Sequence, residues 1–156
     1  MRPPEDDLDR LMAVMQLAFD PEFGEAWTRR QIEDSLLTGH CHYILIDAQG
    51  RMPPADGEPA AGFALSRTGF GEEELLLFAV IPSCRGLGLG RALLSKLTEN
   101  ARLRNVDALL LEMRDGNPAE RLYTAHGFVQ IGRRPDYYRL ASGGRVDAIT
   151  FSCPVA

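Results

Sequence analysis

An α/β domain, with a mixed sheet and helices on both faces, is the fold class predicted for this chain, in the order ααβββαβαββ. Three observations carry that prediction. Apolar residues recur at helical spacing near the N-terminus and again after residue 91, with strand-like apolar runs between and beyond them. The run Leu75–Val80 passes through the turn Arg85-Gly86-Leu87-Gly88-Leu89-Gly90-Arg91 straight into the second of those helical segments. The chain has 156 residues, 45% apolar and 25% charged, which suits a single domain over 1–156 with a sizeable core.

Each element has its own signal. Leu8, Leu11, Met12, Met15 and Phe19 share one helix face, with Asp6 and Asp7 at the favourable N-terminal end and Asp20-Pro21 as the stop. Thr28 is a good N-cap for a second helix to Leu37 that turns Ile32, Leu36 and Leu37 inward. Trp27, just before it, either staples that helix or lines a pocket. Tyr43–Asp47 is a first strand, 48–60 a loop with three prolines and two glycines, and Gly62–Thr68 a second strand. Glu72-Glu73-Glu74 reads as a solvated rim, and Leu75–Val80 as a central strand buried on both faces.

After the glycine turn a helix to Arg104 turns Leu93, Leu94, Leu97 and Ala101 inward. Ala108–Met113 is a strand carrying one acid near its end. Asn117, Pro118 and Glu120 stand in cap, N1 and N3 register for a short helix that Gly127 closes. Phe128–Arg133 is a strand, 134–145 a long polar connection holding Tyr137 and Tyr138, and Asp147–Ser152 the closing strand.

Composition excludes several classes. No stretch approaches the ~20 apolar residues of a membrane span. The stretch from Met1 to Asp7 lacks the apolar core of a secretory signal, so a cytoplasmic location is expected. A net charge of −5 argues against non-specific nucleic-acid binding. Cys41, Cys84 and Cys153 read as reduced thiols. His40-Cys41-His42 alternates across a strand, and no further His or Cys cluster completes a ligand set, so no metal is expected.

The glycine turn carries the first chemistry. Glycines at alternate positions bring the backbone within reach of a ligand, and the N–H groups converge at the positive end of a helix dipole. That arrangement suits phosphate. Such turns also make plain αβ connections, and the residues alone leave both readings open. Walker A needs Lys-Ser/Thr where Arg91-Ala92 stand, and the glycine spacing is not that of a dinucleotide fingerprint.

The segment Arg85-Gly86-Leu87-Gly88-Leu89-Gly90 resembles the acyl-CoA loop of the GCN5-related N-acetyltransferases (GNAT), whose pattern is Arg/Gln-x-x-Gly-x-Gly/Ala between strand and helix. Leu111–Asn117, Leu122-Tyr123 and His126-Gly127-Phe128 resemble the block that follows it. Tyr137-Tyr138 with Asp147-Ala148, and Ala26-Trp27-Thr28, narrow the likeness to RimI-type ribosomal-protein alanine N-acetyltransferases. This resemblance implies the GNAT fold and acetyl transfer from acetyl-CoA to an amine, either a protein N-terminus or a small molecule. The same fold would also serve a CoA-binding module without catalysis.

The resemblance assigns roles residue by residue. Glu112 maps onto the proton acceptor and Tyr123 onto the proton donor to the departing thiolate. The backbone from Arg85 through Gly86, Leu87, Gly88, Leu89 and Gly90 to Arg91 maps onto the diphosphate cradle. Phe78, Ala79 and Val80 offer strand-edge hydrogen bonds to pantetheine, and Asn117 a side-chain one. Trp27, Tyr137 and Tyr138 map to the acceptor side. Plainer readings exist: Glu112 as an exposed strand-end acid or a partner of Arg114, Tyr123 as a core residue, Asn117 as a cap only. A peptide α-amine, with pKa near 7.8, is neutral about one time in seven at pH 7, so a carboxylate is base enough. Gly86, Leu87 and Ile81 stand where the family often has polar residues. Pro135-Asp136 and the 48–60 loop depart from it near the acceptor.

Overall fold

A computed structural model describes residues 5–155. Met1–Pro4, most of the stretch weighed as a signal, lie outside the described residues. Helix α1 (Glu5–Ala18) precedes a single 3₁₀ turn, Pro21–Phe23, capped by the Asp20 carboxylate. Helix α2 (Arg29–Leu37) starts in a full capping box: Thr28 Oγ1 accepts from the Gln31 amide, and the Gln31 side chain accepts from the Thr28 amide. Strands β1 (Cys41–Ile46), β2 (Gly62–Gly69) and β3 (Glu72–Val80) form an antiparallel meander. Helix α3 (Leu89–Leu103), strand β4 (Ala108–Arg114), helix α4 (Glu120–His126) and strands β5 (Val129–Arg139) and β6 (Arg145–Pro154) complete the predicted order. The six strands make one sheet, β1-β2-β3-β4-β6-β5, in which only β3 and β4 run parallel.

Two apolar layers sandwich this sheet. On one face α3 and α4 bury Leu93, Leu94, Leu97, Ala101 and Tyr123 against Leu109, Leu111 and Met113 of β4. On the other α1 and α2 bury Leu8, Leu11, Met15 and Ile32 against Phe63, Leu65 and Leu77. Trp27 packs in the same layer as Ile32, as a staple does. Leu37, expected inward, is 52% exposed at the last turn of α2, where the chain leaves the sheet for Gly39.

Strand β3 corrects two expectations. It begins at Glu72 rather than Leu75, and Glu73 is fully buried instead of lying on a solvated rim. Glu73 accepts hydrogen bonds from Ser66 Oγ at 2.6 Å and from Arg104 Nη1 at 3.0 Å, so its charge is paired inside the sheet. The strand alternates buried and half-buried residues rather than being buried throughout. Leu65 pairs with Leu77 and Ser66 with Leu75, so Leu76 is an extra residue, a β-bulge. The bulge switches the pleat: Leu75 faces the α3 layer, and Leu77 and Ala79 face the α1 layer. The parallel ladder stops at the same point, running only from Glu72/Ala108 to Leu75/Leu111. Beyond it β3 and β4 part, and the edge of β3 at Phe78–Val80 faces a cleft instead of a neighbour.

Two further expectations change. Asn117 does not cap helix α4 in a reciprocal box. Its Oδ1 accepts from the Ala119 amide at 2.9 Å in a turn, and the helix starts at Glu120. Residues 134–139 are not a loop, because β5 continues through them past an irregularity at Pro135-Asp136, so Tyr137 and Tyr138 sit on a strand. Asp147 holds that irregularity, accepting from the Asp136 amide at 2.9 Å, where φ is +51°, and from Arg133 at 2.6 Å. His42 lies in β1 on the face that Ile44 and Ile46 turn toward the α3 layer. Burial in the first place, then the Arg104 charge, lowers its pKa.

Candidate active site

The cleft left by the parting of β3 and β4 is a cavity of about 730 Å³. One end is the glycine turn. Gly86 and Gly88 have φ near +81° and +85°, and a Cβ on either would meet no atom within 4 Å. These two glycines are therefore required by backbone conformation, and the space a side chain would fill stays open to a ligand. Gly90 has a different reason. Its Cβ would stand 2.8 Å from Leu122 and 3.5 Å from Phe78, so it lets α3 close on α4.

The N-terminus of α3 carries no side-chain cap on Gly88, which leaves the first-turn amides to whatever lies in the cavity. Gly86, Gly88, Leu89, Gly90 and Arg91 all line it, while Leu87 is 64% exposed and points away from it. Arg85 lines the wall and ties the turn in place, donating from Nε to the Val80 carbonyl at 2.9 Å and from Nη2 to the Ala18 carbonyl at 3.2 Å. An uncapped 15-residue helix end behind two left-handed glycines fits a diphosphate.

The middle of the cavity is bounded by Phe78, Ala79 and Val80 on one side and Asn117, Pro118 and Ala119 on the other. Asn117 uses only its side-chain oxygen in the turn, so its NH₂ can still donate. At the far end lies Tyr123, 6% exposed, held edge-on by Phe78 at 5.7 Å and Phe128 at 5.8 Å. Burial, and then the negative charge of Glu25, push its phenol pKa well above the usual value.

Glu112 is not in the cavity wall. It projects from the face of β4 opposite Met113, beneath the β5–β6 hairpin. Arg134 donates to its Oε2 from Nη2 at 2.6 Å and from Nε at 3.1 Å, and Thr150 Oγ1 lies 3.3 Å from the same oxygen. Its partner is thus Arg134, not Arg114. All three contacts fall on Oε2, leaving Oε1 outside them. Tyr137 and Tyr138 also stand outside the cavity wall. They meet edge to face at 5.1 Å, and Arg134 stacks 4.2 Å from the Tyr137 ring centre. Burial first, then the charges of Glu112 and Glu25, push the Tyr138 phenol up to about 12. Trp27 is committed to the α1–α2 layer and does not reach the cavity.

Sequence reasoning missed Phe23, Glu25 and Arg114, which close the Tyr123 end. The Arg114 guanidinium lies 3.5 Å over the Phe23 ring, and its Nε is 3.7 Å from Glu25 Oε1. That distance is an ion pair without a hydrogen bond, and the buried Arg114 Nε has no hydrogen-bond partner among the described residues. Burial raises the Glu25 carboxyl above the usual range, and the Arg114 charge opposes the rise. Periodicity gives no signal for these residues. The available hint was an acid between two aromatics, Phe23-Gly24-Glu25-Ala26-Trp27, just ahead of a capped helix.

A parallel pair that splays beside a glycine-wrapped helix end is the frame of one class of acyl-transfer proteins, and comparison with known sequences agrees. Residues 8–128 match the acetyltransferase (GNAT) family, and the chain belongs to it. It is similar to a [ribosomal protein bS18]-alanine N-acetyltransferase of Haemophilus influenzae, 38% identical over 59% of this chain and 63% of the relative. It is 31% identical to the N-alpha-acetyltransferase RimI of Mycobacterium tuberculosis over 75% of this chain and 70% of that one. The match to the Haemophilus relative thus spans less than two thirds of its length. The fold matches the crystal structure of the ribosomal-protein-S18-alanine N-acetyltransferase from Escherichia coli, with TM-score 0.79, 28% identity, and coverage of 100% of this chain and 92% of that one.

Proposed function

We propose that this protein moves the acetyl group of acetyl-CoA to the N-terminal α-amine of a protein, with an alanine-first ribosomal protein as the preferred acceptor. The observation that carries this reading is the continuous cavity from the Gly86–Arg91 turn, along the free edge of Phe78–Val80, to the phenol of Tyr123. It fits an extended ligand with an anionic end, an amide-bearing arm and a reactive end.

In this reading the amides of the turn and first helical turn hold the diphosphate, and the Phe78–Val80 edge with Asn117 holds the arm as a strand would hold a peptide. The neutral acceptor nitrogen forms a bond to the thioester carbonyl carbon, and the carbon–sulfur bond breaks. The proton lost by the amine goes to Glu112, directly at Oε1 or through one water. The thiolate takes its proton from Tyr123, whose raised pKa keeps the phenol protonated until that moment.

The test is thiol release from acetyl-CoA against a panel of peptides with varied first residues and a set of small amines. Alanine-first peptides are expected to be the best acceptors. Acetylation of small amines alone would overturn the acceptor assignment. No thiol release with any acceptor, at retained acetyl-CoA binding, would favour a CoA-binding module.

A further inference from the structure

The transfer as proposed leaves Glu25 without a task. It is a half-buried carboxylate in the wall of the cavity that holds Tyr123, and its charge acts on both the Tyr123 and Tyr138 phenols. Its neighbour Arg114 pairs with it at 3.7 Å, too far for a hydrogen bond, and spreads its guanidinium over Phe23 instead. Arg114 thus stabilises the charge on Glu25 while leaving its oxygens able to accept from another donor. Arg114 and Glu112 stand two residues apart on β4, roughly 7 Å along one face. Glu25 therefore lies in the cavity wall, and its ion pair with Arg114 sets it over the face of β4 that also carries Glu112. The 3₁₀ turn before Glu25 is tied to the turn between β5 and β6, because the Glu22 carbonyl accepts from the Ala141 amide at 2.8 Å and its carboxylate accepts from Ser142.

We propose that Glu25 binds the ammonium group of the acceptor, holding it between the Glu25 and Glu112 carboxylates before the proton is lost, with Arg114 positioning Glu25. The ligand class is a primary ammonium at the end of a flexible chain. This rests on the acetyl-transfer reading for the location of the acceptor, and binding can be tested apart from turnover.

The test is a binding cycle on the full chain with non-acetylated CoA present. Two peptides of one sequence are titrated, one with a free N-terminal alanine and one N-acetylated, against wild type and Glu25→Gln. Wild type is expected to prefer the free amine by about tenfold, one charge-assisted hydrogen bond's worth, and Glu25→Gln to lose that preference. CoA affinity equal to wild type verifies that the variant is folded. Glu112→Gln, run in parallel, is expected to reduce the preference as well, because the ammonium sits between both carboxylates. An equal preference for the free amine in Glu25→Gln would overturn the proposal, as would failure of wild type to bind either peptide. A preference that depends on Glu25 in a protein that releases no thiol would keep this site and defeat the acetyl-transfer reading.

Discussion

Tyr123 and Glu112 are two polar side chains placed in opposite situations. The phenol is buried among aromatic rings, with its pKa pushed up by burial and by Glu25. The carboxylate takes its contacts from Arg134 and Thr150 on one oxygen, Oε2. Tyr123→Phe keeps the packing against Phe78 and Phe128 and removes the proton. It is expected to lower kcat by about 10²- to 10⁴-fold, while acetyl-CoA affinity stays within twofold in a direct titration. Because the phenol titrates above its ordinary value near 10, kcat/KM is expected to climb as the acceptor amine deprotonates and to show no fall below about pH 10. A descending limb centred near pH 8 would remove Tyr123 as the acid. The roles proposed for Glu112 and Tyr123 were legible in the sequence only through the family's motifs. Glu25 offered only the hint of an acid between two aromatics, since a loop residue has no periodicity and its partner, Arg114, is distant in sequence and adjacent only once β4 lies over the 3₁₀ turn.

The elements show why patterning succeeded for some segments and not for others. Helix α3 was readable because Leu93, Leu94, Leu97 and Ala101 recur at helical spacing and all four are buried. Strand β3 misled because three consecutive glutamates look solvated, yet Glu73 faces inward and is neutralised by Arg104 from the end of α3. The pairing is long-range, so no local signal announces it. Arg104→Ala leaves Glu73 buried without its cation and is expected to cost about 3–5 kcal/mol in urea unfolding. A loss below 1 kcal/mol would mean the pair is dispensable. The long loop after β1 is anchored by Asp47, which accepts from the amides of Gln49 and Arg51 and from the Arg51 guanidinium. Burial by itself would raise its pKa, but these donors hold the carboxyl down at about 2. Its folded value lies below the unfolded one, so its contribution is fully present above about pH 4 and fades as pH falls through about 2. Asp47→Ala is therefore expected to lower Tm by several degrees at pH 7, with the gap from wild type shrinking steadily below pH 4. A gap of constant size over that range would contradict the assignment.

At the scale of the whole molecule the function depends on a defect in the sheet. A bulge at Leu76 and the end of the β3–β4 ladder at Leu75/Leu111 coincide, and the cavity opens from that point. The element order was legible because strand and helix periods alternate cleanly. The bulge was not, because an unbroken apolar run gives no sign of where the pleat switches face. The central claim is that the amides of Gly86–Arg91 hold the diphosphate of acetyl-CoA. Calorimetric titration of the purified protein with acetyl-CoA in moderate salt tests it most directly, with Gly88→Asp as the comparison. Gly88 has left-handed backbone, and a carboxylate there would bring negative charge to the anion's position. Wild type is expected to give one saturable site and Gly88→Asp to bind at least tenfold more weakly. No saturable complex with wild type, or equal affinity in the variant, would contradict the account.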